Sequence, residues 1–172
     1  EVKRKFFGTL QNIYSFFSLY ANIDGFEYKE AQIEISKRPE IDRWILSELN
    51  SLIKKVDHDL DNYDLTPAAR DINDFVQEKL SNWYVRLCRR RFWKGEYNAD
   101  KISAYQTLYE CLLTVGKLIS PVAPFYSEHI FQSLNNVTNK EDFESVHLSK
   151  FPDSFSDLID NNLENKINQV RN

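Results

Sequence analysis

The chain has 172 residues and a mass of 20.4 kDa, with 22 basic against 26 acidic side chains and a formal net charge of −4. Hydrophobic residues at 42% and aromatics at 14% suffice for a core, which excludes wholesale disorder. No stretch reaches the roughly 18 uninterrupted apolar residues of a membrane span, so the sequence reads as soluble.

Only four glycines and five prolines leave few breakers, which points to long elements and an all-α fold. The chain opens on Glu1, contains no methionine and ends within a helical pattern at Ile167–Asn172, so it reads as an excised piece of a longer protein. Lys3–Phe7 faintly suggests a signal peptide, but Gln11, Asn12 and Ser15 interrupt the apolar run and no small-residue cleavage site follows.

The first predicted helix covers about Val2 to Asn22. Phe6, Phe7, Leu10, Ile13, Tyr14, Phe17 and Tyr20 share one wide aromatic face that must be buried. Ile23-Asp24-Gly25 ends it, and Phe26 to Arg38 reads as a connecting loop. A second helix begins at Pro39 and runs to about Asp61, with Ile41, Trp44, Ile45, Leu49, Leu52, Ile53, Val56 and Leu60 inward and Asp42, Arg43, Lys54 and Lys55 mostly outward. His58 near its end is expected at the surface.

A third helix starts with Thr66 as N-cap and Pro67 at the first helical position. With no breaker before Gly95 it extends about 28 residues, or roughly 42 Å. Its apolar stripe is Ala69, Ile72, Val76, Leu80, Trp83 and Leu87. After a connector, with Asp100 as N-cap, the fourth helix carries Ile102, Tyr105, Leu108, Tyr109, Leu112, Val115 and Ile119. The fifth starts near Pro124 and buries Phe125, Ile130, Phe131 and Leu134. From Asn135 the composition turns polar. Residues 1–134 thus form a bundle of about five helices, and 135–172 an appendage with a short extended stretch at Ser145–Leu148 and a further helix after Ser156.

Between Lys79 and Lys94 stand six basic residues (Lys79, Arg86, Arg89, Arg90, Arg91 and Lys94) and no acid, a +6 island on a body of −10. Past Leu87 the apolar stripe stops, and Arg90, Arg91 and Lys94 take the angular positions that Ile72, Val76 and Leu80 held. Charges cannot stay on a core face, so the helix is expected to leave the bundle, or reach its end, near Leu87 and present its last two turns outward. Arginine forks suit phosphate oxygens. Phe92 and Trp93 at the same end suit stacking on an unpaired base or packing on a neighbouring domain. Trp83 and Tyr84 read as core. The plainer alternative, solvated arginines or internal salt bridges, stays open on composition alone.

Signs of bond chemistry are sparse. His58, His129 and His147 lie in separate segments without i,i+4 partners, so no metal site is expected. Gly8, Gly25, Gly95 and Gly116 are isolated, so no phosphate loop forms. Cys88, between Arg86 and Arg89, is the one nucleophile in a cationic setting that would lower its pKa. The commoner role for Cys88 and Cys111 is that of small core residues in a reducing compartment.

The blocks Asn82-Trp83-Tyr84-Val85-Arg86-Leu87 and Arg89-Arg90-Arg91-Phe92-Trp93-Lys94 resemble the anticodon-binding domain of isoleucyl-tRNA synthetases, in the eukaryotic-like form that some bacteria also carry. Thr9–Phe17, Asp42–Ser47, Thr107–Leu112 and Pro121–Glu128 agree in order, over about residues 3–134, and more loosely over 145–165. The synthetases for valine, leucine and methionine share the bundle but not the Trp-Tyr-Val-Arg block followed by Arg-Phe-Trp. The resemblance implies a helical bundle following a class I Rossmann catalytic domain. It further implies binding of the anticodon stem and loop of tRNA(Ile), in a monomeric cytoplasmic ligase that uses ATP and Mg2+.

The HIGH and KMSKS signatures are absent, so this piece itself is expected to lack catalytic residues and cofactors. Arg86, Arg89, Arg90, Arg91 and Lys94 are the expected phosphate contacts, with Asn82 and Trp93 beside them. The competing readings are a basic helix end docked on the parent's own catalytic domain, and a stand-alone helical interaction module.

Overall fold

The computed structural model describes residues 3–171. Helix α1 (Gly8–Asp24) follows a π-helical turn at Lys3–Phe7, and α2 spans Glu40–Asp61. Helices α3 (Leu65–Asp74) and α4 (Arg86–Trp93) are joined without a break by a π-helical stretch, Phe75–Val85. Then come α5 (Ala99–Leu118), α6 (Pro124–Thr138) and α7 (Asn161–Arg171), with short 3-10 turns at Ile35–Lys37, Val146–Leu148 and Ser156–Leu158. Among the described residues there is no strand, and the all-α expectation holds. The predicted start at Val2 lies outside the described residues, as does Asn172.

Helix α5 is the centre of the bundle. Tyr105, Leu108, Tyr109, Leu112, Val115 and Leu118 are buried, and so are Ser103, Gln106 and Thr107, because α1, α2, α4 and α6 all pack against it. Its N-cap is Asn98, whose side chain accepts from the Lys101 N–H at 3.0 Å; Asp100, the expected cap, lies in the first turn instead. Around the first half of α5 the rings pack edge to face or stacked, with Phe26 lying on Tyr105 at 4.9 Å and 16°. The loop after α1 is tied to α5 by polar groups. Arg38 donates to both carboxylate oxygens of Glu110 and to Thr107, while Gln106 bridges the backbone of Ile33 and Ala31.

Helices α3 and α4 with their π-helical link form one rod. The turn before it gives no side-chain cap, and the helix begins at Leu65, so Thr66 and Pro67 lie inside the first turn. The core stripe is Ile72, Val76, Leu80, Tyr84, Cys88 and Phe92, each 2% exposed or less. This is a strict four-residue repeat. At 3.6 residues per turn such a repeat drifts around the helix. The wider i→i+5 turns from Phe75 to Val85 take up that drift and keep every fourth residue inward. The expected 3.6-residue stripe therefore fails past Leu80: Trp83 is half-buried and Leu87 is 56% exposed. The rod does not leave the bundle at Leu87 but stays packed as far as Phe92, whose ring meets Phe16 and Tyr105 at 5.1 Å each.

Asp42, expected on the outward side of α2, is fully buried. Its Oδ1 accepts from the Tyr84 hydroxyl (2.8 Å) and Arg91 Nη1 (2.6 Å), and its Oδ2 from Arg91 Nη2 (2.8 Å) and the Ser103 hydroxyl (2.6 Å). One carboxylate thereby joins α2, the rod and α5.

The expected boundary at residue 134 falls inside α6, which continues to Thr138. Phe125, expected inside, is 92% exposed in the first turn of α6, whereas Ile130, Phe131 and Leu134 are buried as expected. The residues that follow return to the bundle. Ser145 and the Val146 N–H donate to Glu128, Phe155 N–H donates to Asn50, and Glu164 accepts from Ser47 and Ser51 on α2. Ser145–Leu148 is a capped 3-10 turn, not an extended segment.

Truncating Phe92 to Ala should cost about 3–5 kcal/mol, while Leu87→Ala should stay within about 0.5 kcal/mol, both read from urea unfolding. Asp42→Ala leaves the Arg91 guanidinium without its buried counter-charge and should cost about 3–5 kcal/mol in the same measurement.

Candidate nucleic-acid interface

The repeat that buries Tyr84, Cys88 and Phe92 determines what the rod turns outward. Asn82, Arg86, Arg89, Arg90, Trp93 and Lys94 are all exposed, and the first five fall on one face at three- and four-residue spacing. Among the described residues no acid pairs with Arg86, Arg89, Arg90 or Lys94. Asn82 makes only a long contact, 3.4 Å, to Glu78. Trp93 is 56% exposed, whereas its neighbour Phe92, considered for stacking, belongs to the core.

Two members of the basic run are neutralised internally. Lys79 pairs with the buried Glu48 on α2. Arg91, expected to contact phosphate, points inward to Asp42; its Nε donates to Asp100 Oδ2 at 3.0 Å and its Nη2 to the Asp100 carbonyl at 2.8 Å. Burial works against its charge, but the hydrogen bonds and Coulomb attraction of Asp42 outweigh it, so its pKa is raised. The +6 island is thus a +4 surface.

Cys88 is no activated nucleophile. Burial pushes its thiol up to about 11, and the nearby Arg91, 3.6 Å from Sγ, pulls it back only in part. Arg86 and Arg89, close to it in sequence, are exposed, in water. Cys111 is buried and raised as well. Among the described residues no group of three or more His, Cys, Asp or Glu side chains could hold a metal ion. A groove of about 630 Å³ opens between the π-helical turn before α1, α3 and the α5–α6 turn, lined by Phe6, Phe7, Ile72, Ile119 and Val122 among others, and includes no residue of the basic run.

For Arg91 the alternative of an internal salt bridge is the one realised, but its partner Asp42 is not among the sequence-based expectations. Its signal is positional: Asp42 precedes the buried Ile45, Leu46 and Leu49 by three, four and seven residues, and Arg91 follows Tyr84 and Cys88 by seven and three.

A helical bundle with an unneutralised cationic helix face next to an exposed tryptophan is the arrangement of a module that binds a polyanion. The chain belongs to a family of such modules, since residues 42–172 match the family described as the anticodon-binding domain of tRNA ligase. It is 56% identical to the isoleucine–tRNA ligase of Bacteroides thetaiotaomicron over 171 residues, 99% of this chain and 15% of that protein. Identity to the isoleucine–tRNA ligase of Cytophaga hutchinsonii is 58% over 167 residues (97% and 15%), and to that of Dehalococcoides mccartyi strain CBDB1 54% over 170 residues (99% and 17%). The chain spans about one sixth of the length of these relatives.

The Cys88 thiol should resist iodoacetamide in the native protein at pH 8.5 and react on unfolding. Because its folded-state pKa is the higher one, its contribution to stability is whole below about pH 9 and is lost as the pH climbs through about 11. Urea midpoints at pH 8 and 10.5 should therefore fall less steeply in Cys88→Ala than in the parent protein.

Proposed function

We propose that this bundle binds the anticodon stem and loop of tRNA(Ile) within an isoleucine–tRNA ligase and holds the tRNA so that its acceptor end reaches a catalytic domain elsewhere in the polypeptide. The observation that carries the reading is the outward face of the rod, where Arg86, Arg89, Arg90 and Lys94 stand in water without acidic partners among the described residues. Guanidinium groups free to form two parallel hydrogen bonds match phosphate oxygens. Trp93 supplies a π-face for a loop base, and Asn82 an amide that donates and accepts. The specificity for isoleucine, as opposed to valine, leucine or methionine, is supported by the names of the relatives at 48–58% identity. In this reading the whole enzyme is a cytoplasmic monomer that activates isoleucine with ATP and Mg2+, and the bundle contributes binding energy and orientation, not bond chemistry.

The test is made in the full-length ligase. Arg86→Ala with Arg89→Ala should raise the KM for tRNA about 10- to 100-fold, leave ATP–pyrophosphate exchange unchanged, and lower the log–log salt slope of tRNA binding by roughly one per lost phosphate contact. An unchanged tRNA KM alongside normal exchange would mean that the cationic face docks against protein.

A further inference from the structure

We infer that Arg91 is a positioning residue for tRNA binding, acting through the exposed arginines of its own helix. This rests on the RNA-binding reading above. Of the proposed contact residues, Arg86, Arg89, Arg90 and Trp93 lie in the last eight helical residues of the rod, with Lys94 at its end and an exposed connector at Gly95–Asn98 following. Helix ends have unpaired carbonyls and open readily, and the phosphate-binding arginines sit where that opening is easiest.

Two kinds of contact hold this end. Burial of Cys88 and Phe92 decides which side of the helix lies against α5, but apolar contact is non-directional and sets the rotation only coarsely. Arg91 supplies the direction. Its Nη1 and Nη2 take the two oxygens of Asp42 at 2.6 and 2.8 Å, while Nε and Nη2 also bond Asp100. Asp42 cannot turn to follow a moving partner, because Tyr84 and Ser103 hold its two oxygens from the rod and α5.

Rotation of α4 by even part of a residue breaks several of these bonds together. Arg89 and Arg90 immediately precede Arg91 in the same helix, so the planar fork that faces Asp42 narrows the directions in which they face solvent. A lysine at this position keeps the charge but not the fork.

In the full-length ligase, Arg91→Lys should raise the KM for tRNA about tenfold while leaving kcat and ATP–pyrophosphate exchange within twofold. Because Arg91 acts through its neighbours, its effect should largely vanish in an Arg89→Ala, Arg90→Ala background. A lowered Tm with an unchanged tRNA KM would reduce Arg91 to a purely structural residue and overturn the inference. A fully additive effect would also overturn it, by making Arg91 a direct RNA contact.

Should Arg91→Lys fail to fold, Ser103→Ala removes one donor from Asp42 and leaves the fork intact. It should raise the KM about threefold, and an unchanged KM there is equally fatal. If Arg89→Ala, Arg90→Ala alone leaves the tRNA KM unmoved, the RNA-binding reading itself fails. If that pair raises it and neither Arg91→Lys nor Ser103→Ala does, only the positioning role is lost.

Discussion

A carboxylate with no exposure to water fixes the register of this bundle. Moving Asp42 out of solvent is costly, and the cost is offset only because four donors converge on its two oxygens. Those donors and the carboxylate come from three segments far apart in sequence. Asp42 is thus satisfied only when α2, the rod and α5 meet in one register. Burial also drives the Tyr84 hydroxyl well above its ordinary pKa, with Asp42 adding to the effect, so the phenol keeps its proton and remains a donor. Hydrophobic burial supplies most of the drive to collapse, but it tolerates small slips. The buried pair does not, and it selects one arrangement among the packed alternatives.

The same geometry explains how a chain of net charge −4 presents a cationic surface. Of the six basic residues in the run, Lys79 and Arg91 meet buried acids of α2, and the other four are left where no acid of the described residues faces them. At physiological salt, exposed charges more than about 8 Å apart are largely screened from one another. An approaching phosphate therefore senses the local arginines far more than the acidic body behind them. Selective neutralisation, more than the number of arginines, defines the face.

The helices are largely legible in the sequence because their signals are local. Apolar spacing locates α2 and α5, Pro124 locates the start of α6, and the charge run locates the cationic face. What cannot be read depends on partners distant in sequence. Phe125 fits an apolar pattern, yet no described element covers it. Arg91 reads as solvent-facing because a 3.6-residue extrapolation ignores the π-helical stretch that shifts everything after Leu80. The four-residue repeat from Ile72 to Phe92 is visible in the sequence, but a regular α-helix gives no reason to prefer it. Asp42 shows the same limit. Its place among Ile45, Leu46 and Leu49 argues for burial while its charge argues against, and only an arginine far along the chain decides between them.

The return of the C-terminal segment to α2 bears on the order in which the molecule assembles. Glu164 reaches Ser47 across 117 residues, and Phe155 reaches Asn50 across 105. Separation alone does not set these contacts apart, since Gln11 of α1 and Tyr126 of α6 meet across 115 residues, but the segment that makes them is synthesised after α1 to α6. One side of α2, around Ser47 and Asn50, is therefore open to water until that segment arrives. During synthesis the helices up to α6 would gather with that seam open, and the segment from Ser154 to Glu164 would act as its closing latch.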